Sequence, residues 1–176
     1  HITEKRTSAT APGKIILFGE HAVVYGQPAI AVPVDAVTAR VVVETLDEEG
    51  IELVLRDLGE SVWLHEALDD HPLSRAVRNF FRQSPELAMM DDGLRLTFTS
   101  SIPMAGGMGS GAALTAALFR SLARHYNVPS LATDDVISDM TYEIERLYHG
   151  TPSGIDNTVV AYNTPVYFVR DLFYSD

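Results

Sequence analysis

The sequence predicts an α+β fold, a mixed or antiparallel sheet with helices packed on it. The N-terminal third consists of apolar and alternating runs separated by turn residues, which reads as strands. Later stretches carry apolar residues at helical spacing. Between them an alternating segment, residues 94–100, runs into a loop with glycines at 106, 107, 109 and 111 and then into an Ala/Leu-rich segment. That order predicts a strand, a glycine loop and a helix, and the rest of the chain is organised around it.

Taken in order, residues 7–12 lead into a short strand at 15–18 that ends at Gly19, and the loop after it carries Glu20 and His21. A turn at Gly26, Gln27 and Pro28 precedes a second apolar run, 29–34. Residues 37–46, an acidic turn at 47–50 and residues 51–55 read as a hairpin. The spacing of Leu73, Ala76, Val77, Phe80 and Phe81 predicts a core-packing amphipathic helix over 71–84. Leu94, Leu96 and Phe98 alternate with Arg95, Thr97 and Thr99, the pattern of a strand with one wet face in an antiparallel or edge setting. Leu114, Leu118 and Leu122 stand at i, i+4 and i+8 of the helix after the glycine loop. A third helix is expected over 134–148, capped by Thr133 or Asp134. Its predicted buried stripe is Val136, Ile137, Met140, Ile144, Leu147 and Tyr148, with Glu143 and Glu145 off it. Two glycines and a proline break the pattern at 149–158, and apolar runs resume at 159–162 and 165–170.

Composition bounds the function. With 46% hydrophobic and 21% charged residues the chain can build an ordinary core. Thirteen basic against 24 acidic side chains give a net charge of −11, which argues against non-specific binding to nucleic acid or to an anionic membrane. A phosphorylated small ligand remains compatible, because local backbone donors and a metal can oppose the global field. The chain has no cysteine, so disulfides and thiolate chemistry are excluded, and a cytoplasmic setting is expected. No apolar run has the length of a membrane span.

Free N–H groups at a helix start attract anions, and glycine lets backbone approach a ligand closely, so the loop is a candidate phosphate cradle. It equally fits a plain strand-to-helix turn. A Walker A loop would need Lys-Ser/Thr after its last glycine, and here Ala112 and Ala113 follow Gly111. A dinucleotide fingerprint would need a buried parallel strand and an acidic residue further on, where Pro129 stands instead.

Three segments decide between these readings: APGKIILFGEHAVVYGQPAIAVPV at 11–34, PMAGGMGSGAA at 103–113 and ERLYHGTPSGIDNTV at 145–159. Together, in this order, they resemble the GHMP kinase superfamily across nearly the whole chain. Within it, GEHAVVYG and HGTPSGIDN look like the mevalonate kinases. The resemblance implies a GHMP-kinase-like N-terminal, ATP-binding domain over 1–176. It also implies transfer of a phosphoryl group from ATP, with Mg2+, to the primary hydroxyl of mevalonate. The alternatives are another GHMP kinase, acting on phosphomevalonate or a sugar, and a non-catalytic ligand-binding relative.

By the same resemblance, Asp156 matches the catalytic aspartate and Lys14 the catalytic lysine; alone, Asp156 also reads as a helix cap and Lys14 as a solvated charge. Glu145 matches the magnesium-binding glutamate, although its place on a polar helix face would otherwise suggest solvent exposure. Glu20 and His21 match the family's Gly-Glu-His, which implies that His21 hydrogen-bonds mevalonate with Glu20 as polar support. Pro103, Ala105, Gly106, Gly107, Met108, Gly109, Ser110, Gly111 and Ala112 match the nucleotide loop. Relatives carry a second serine where this chain has Gly111, so a metal-binding hydroxyl is missing there, and Ser110 is the substitute candidate as metal ligand. His149 is expected to serve loop hydrogen bonding. The family's C-terminal domain has no counterpart in this sequence. It is expected to complete the cleft, so that the 176 residues alone would have little or no kinase activity. A homodimer is one assembly left open.

Overall fold

A computed structural model of the chain describes residues 5–19, 26, 28–90, 93–149 and 152–169. Strand β1, Arg6–Phe18, pairs antiparallel with the long strand β2, Ala29–Leu46, from Arg6 opposite Glu44 to Phe18 opposite Ile30. The expected short strand at 15–18 is thus the end of a thirteen-residue one. Ala9 and Ala11 extend it because their side chains enter the core, at 3% and 2% exposure. β1 is an edge strand, which explains why Pro12, lacking an N–H, is tolerated within it. Pro33 is tolerated inside β2 for a related reason. β2 pairs with β6, Val166–Phe168, over 29–31 and with β5, Gly93–Ser100, over 39–46, so Pro33 falls in the gap between the two ladders.

The expected hairpin of 37–46 with 51–55 does not form. The sheet order is β1-β2-β5-β3-β4, with β6, Val166–Phe168, on β2. Strand β5, Gly93–Ser100, lies between β2 and β3, Ile51–Leu55, antiparallel to the first and parallel to the second. β3 makes its hairpin with β4, Glu60–Trp63, instead. Inserting β5 gives its backbone ladder partners on both sides. The 47–50 turn then crosses over the start of β5: Leu94 N–H donates to Gly50 O at 2.9 Å, and a Cβ on Gly93 would stand 1.6 Å from Glu48 O. The alternation in β5 therefore reported its faces correctly, with Leu94, Leu96 and Phe98 buried, and its antiparallel contact with β2, but not an edge position.

Helix α1, Pro72–Gln83, forms as expected, with His71 Nδ1 accepting from Ser74 N–H at 3.3 Å at its start. After α2, Pro85–Ala88, and β5, helix α3, Ser110–His125, lies on β1 and β2 and packs against α1, α4 and α5. Leu118, Phe119 and Leu122 are fully enclosed there with Phe80, Ile137 and Ile144. Helix α4, Asp134–His149, starts with Thr133 Oγ1 accepting from Val136 N–H. Its buried face is turned from the expected one: Ser138, Thr141 and Glu145 join Ile137 and Ile144, while Leu147 is 49% exposed. The cause is α5, Ile155–Tyr162, which covers α4 where residues 159–162 read only as an apolar run. Among the described residues no helix is long and apolar enough to cross a membrane.

Candidate active site

Lys14 is carried by β1 and is 3% exposed, and its Nζ lies 3.0 Å from Asp156 Oδ1. The glycine loop holds the lysine from the other side. Lys14 N–H donates to Met108 O at 2.9 Å, and a Cβ on Gly109 would stand 3.0 Å from Lys14 Cγ. With φ at +73°, Gly109 also adopts the left-handed conformation that a side chain resists. One residue thus turns the chain into α3 and leaves room for the lysine stem.

Gly109 ends the loop as the N-cap of α3, and no side chain caps the helix there. Ser110, Gly111 and Ala112, which carry the first N–H groups of the helix, line a cavity of about 380 Å3. Its wall is completed by Met104, Gly107 and Met108, by Glu145 and His149 of α4, and by residues 152–154, Asp156 and Asn157. Helix α5 begins at the same cavity, with Gly154 at its N-cap and Ser153 Oγ accepting from Ile155 N–H at 3.3 Å. Two helix starts therefore bring partial positive charge to one space. Asp156 sits in the first turn of α5 with its carboxylate on Lys14. Asn157 beside it is buried and donates from Nδ2 to Ser138 Oγ at 3.0 Å, joining α5 to α4.

Glu145 reaches the cavity from the buried side of α4 and is 9% exposed. Burial raises its proton affinity above that of an ordinary glutamate; His149 opposes this, Asp156 adds to it, and Lys14 opposes it. Its Oε2 lies 3.6 Å from His149 Nε2, and Oε1 lies 3.7 Å from where a Cβ on Gly111 would stand. A buried carboxylate facing an anion cradle fits a divalent cation, which would relieve the cost of its charge. Among the described residues no three His, Asp or Glu side chains converge, so phosphate oxygens and water would have to complete the shell. A second, mainly apolar cavity of about 350 Å3 adjoins the first and shares Met104, Ser110, Gly111, Glu145 and His149 with it. Leu55, Leu73, Phe98, Ile102 and Leu114 are among its walls.

The structure thus brings together Lys14, Gly107, Met108, Gly109, Ser110, Gly111, Ala112, Glu145 and Asp156. Pro103, Ala105 and Gly106 lie in the same loop but are exposed and outside the cavity wall. Glu20 and His21 lie outside the described residues. Asp156 is not the helix cap, a place held by Gly154, and Glu145 is not solvent-exposed. Sequence reasoning passed over Met104, Asn157 and the apolar cavity, and gave His149 to loop hydrogen bonding. Met104 and Asn157 adjoin residues already singled out, but the cavity is assembled from five separate segments that no local pattern joins.

A sequence profile described as the GHMP kinases N terminal domain matches residues 71–164, more than half of the chain. The chain belongs to the GHMP kinase family. The fold agrees: a crystal structure of the Methanococcus jannaschii mevalonate kinase superposes with a TM-score of 0.79 at 27% identity, covering 94% of this chain and 54% of that one. A mevalonate kinase of Thermococcus sibiricus is 31% identical over 183 aligned positions, covering 97% of this chain and 54% of the relative. The chain spans about half the length of the curated relatives it matches. The likeness also extends to a D-glycero-D-manno-heptose 1-phosphate kinase from Bacteroides thetaiotaomicron, with a TM-score of 0.73 at 16% identity, which speaks for a shared GHMP kinase fold alone.

Proposed function

We propose that this GHMP kinase domain, over 1–176, carries the nucleotide-binding and catalytic centre of a cytoplasmic kinase that phosphorylates the primary hydroxyl of mevalonate. The observation that carries the reading is the pair of buried Lys14 and half-exposed Asp156, 3.0 Å apart, beside a glycine-loop helix start that no side chain caps.

The N–H groups of 110–112 and the glycine loop receive the ATP phosphates, and the adjoining apolar cavity receives the base. Glu145 would hold the magnesium ion together with phosphate oxygens and water, and Ser110, which lines the same cavity, offers a hydroxyl to assist it. Bound there, the ion neutralises charge on the phosphates. Asp156, paired with Lys14, accepts the proton of the acceptor hydroxyl as its oxygen bonds to the γ-phosphorus and the bond to the leaving ADP oxygen breaks. Lys14 stabilises the negative charge that develops on the attacking oxygen. Glu20 and His21 orient mevalonate, and the further length of the relatives supplies the other wall of the cleft.

A panel of mevalonate, phosphomevalonate and hexoses, assayed with ATP and Mg2+ on the full-length protein, tests the acceptor. Mevalonate should dominate, and His21→Ala should raise its KM selectively. A preferred sugar would replace mevalonate kinase with another GHMP activity. The 176 residues alone should turn over little or nothing, and turnover matching the full-length protein would remove the need for a second wall.

A further inference from the structure

Resting on that reading, we propose that His149 supplies a nitrogen ligand to the nucleotide's divalent cation beside Glu145. The site then favours ions such as Co2+ over Mg2+ more than an all-oxygen site would.

Glu145 and His149 stand at i and i+4 of α4, hence on one face of the helix, and His149 Nε2 lies 3.6 Å from Glu145 Oε2. Two donors each about 2.1 Å from a shared ion at a right angle are roughly 3 Å apart, so only a small side-chain movement is needed. Both residues line the wall that also carries the glycine loop. His149 is 63% exposed at its side chain, so its ring is not held by packing and can turn toward an ion.

The opposite flank of Glu145 explains why a nitrogen would be used. A side chain at position 111 would begin 3.7 Å from Oε1, but Gly111 has no hydroxyl to offer there. No group of three acidic or imidazole side chains converges among the described residues, and His149 is the imidazole that stands against Glu145 in this wall. Imidazole binds later first-row ions much better than magnesium, which prefers hard oxygen. Exchanging one oxygen ligand for His149 therefore shifts preference along the divalent series without abolishing magnesium binding.

Pulsed electron paramagnetic resonance of the full-length protein loaded with Mn2+ and ADP tests this directly. The expected result is a nitrogen coupling on the bound Mn2+ that disappears in His149→Ala and in His149→Gln. In parallel, calorimetric titrations in the presence of ADP should show Co2+ affinity falling about tenfold in both variants, with Mg2+ affinity changing by less than about twofold. Nucleotide-dependent Mn2+ uptake without a nitrogen coupling, or equal losses for Co2+ and Mg2+, would overturn this inference and leave the kinase reading standing. Absence of any nucleotide-dependent metal uptake would overturn both.

Discussion

The two ends of helix α5 are held by charged side chains in opposite ways. At its start Asp156 meets Lys14, and the carboxylate keeps 35% of its side chain open to the cavity. At its end Arg120 of α3 donates to Ala161 O at 2.8 Å and to Asp134 Oδ1 at 3.2 Å, with 13% of the guanidinium side chain exposed. Burial pulls the Arg120 pKa down, and Asp134 pushes it back up. Both ends obey the helix dipole, an anion at the N-terminus and a cation at the C-terminus. The first end lines the cavity described above, with Gly154, Asp156 and Asn157 in its wall. One ion pair is therefore free to do chemistry and the other closes a seam, a difference that charge pairing alone would not reveal.

The comparison breaks most sharply at the open end. Asp156→Asn should lower kcat about a thousandfold, roughly 4 kcal/mol, with ATP binding largely kept. Steady-state kinetics with nucleotide titration would measure this, and a loss confined to KM would move Asp156 out of catalysis. At the closed end, Arg120→Ala should cost about 2 kcal/mol of stability in denaturant titration by leaving a helix-end carbonyl and Asp134 unpaired. Turnover at temperatures well below the transition should then fall far less than in Asp156→Asn.

Between the ends, Ser138 and Asn157 make a buried side-chain bond adjacent to Asp156. A double-mutant cycle with Ser138→Ala and Asn157→Ala should give a coupling of about 1 kcal/mol. A coupling near zero would mean that the bond does not hold α5 against α4.

The smallest expected effect concerns Glu145, whose proton affinity is raised in the fold, chiefly by burial. A carboxyl that binds its proton more tightly when folded loses stability as pH rises from the ordinary glutamate range through its raised value. In metal-free protein Glu145→Gln should therefore gain stability at about pH 7 and lose that gain near about pH 4, where the wild-type group is protonated as well. An equal gain at both pH values would assign the effect to packing rather than charge.

Local signals in the chain were strong where one element decides its own form. The helical spacing at 71–84 and the cap at Thr133 appear as α1 and the start of α4. What failed was adjacency. The 47–50 turn looked like a hairpin, but nothing local says that β5, more than forty residues on, will enter between β2 and β3. Glu145 looked exposed because the partner that buries its face, α5, follows in sequence and read there as an apolar run. Lys14 and Asp156, 142 positions apart, were joined only through resemblance to relatives, since no periodicity connects the middle of an edge strand to the first turn of a distant helix.

The contact between Lys14 N–H and Met108 O has a consequence beyond the site. Among the described residues β1 is the outer strand of the sheet, and the outward donors of such a strand can pair with a neighbouring chain that extends the ladder. The glycine loop occupies one of those donors, and Pro12, two residues earlier, has none to give. The loop proposed to receive the phosphates thus also serves as a guard rail along the sheet's outer side, so loop variants that loosen it should be judged by their aggregation as well as by their turnover.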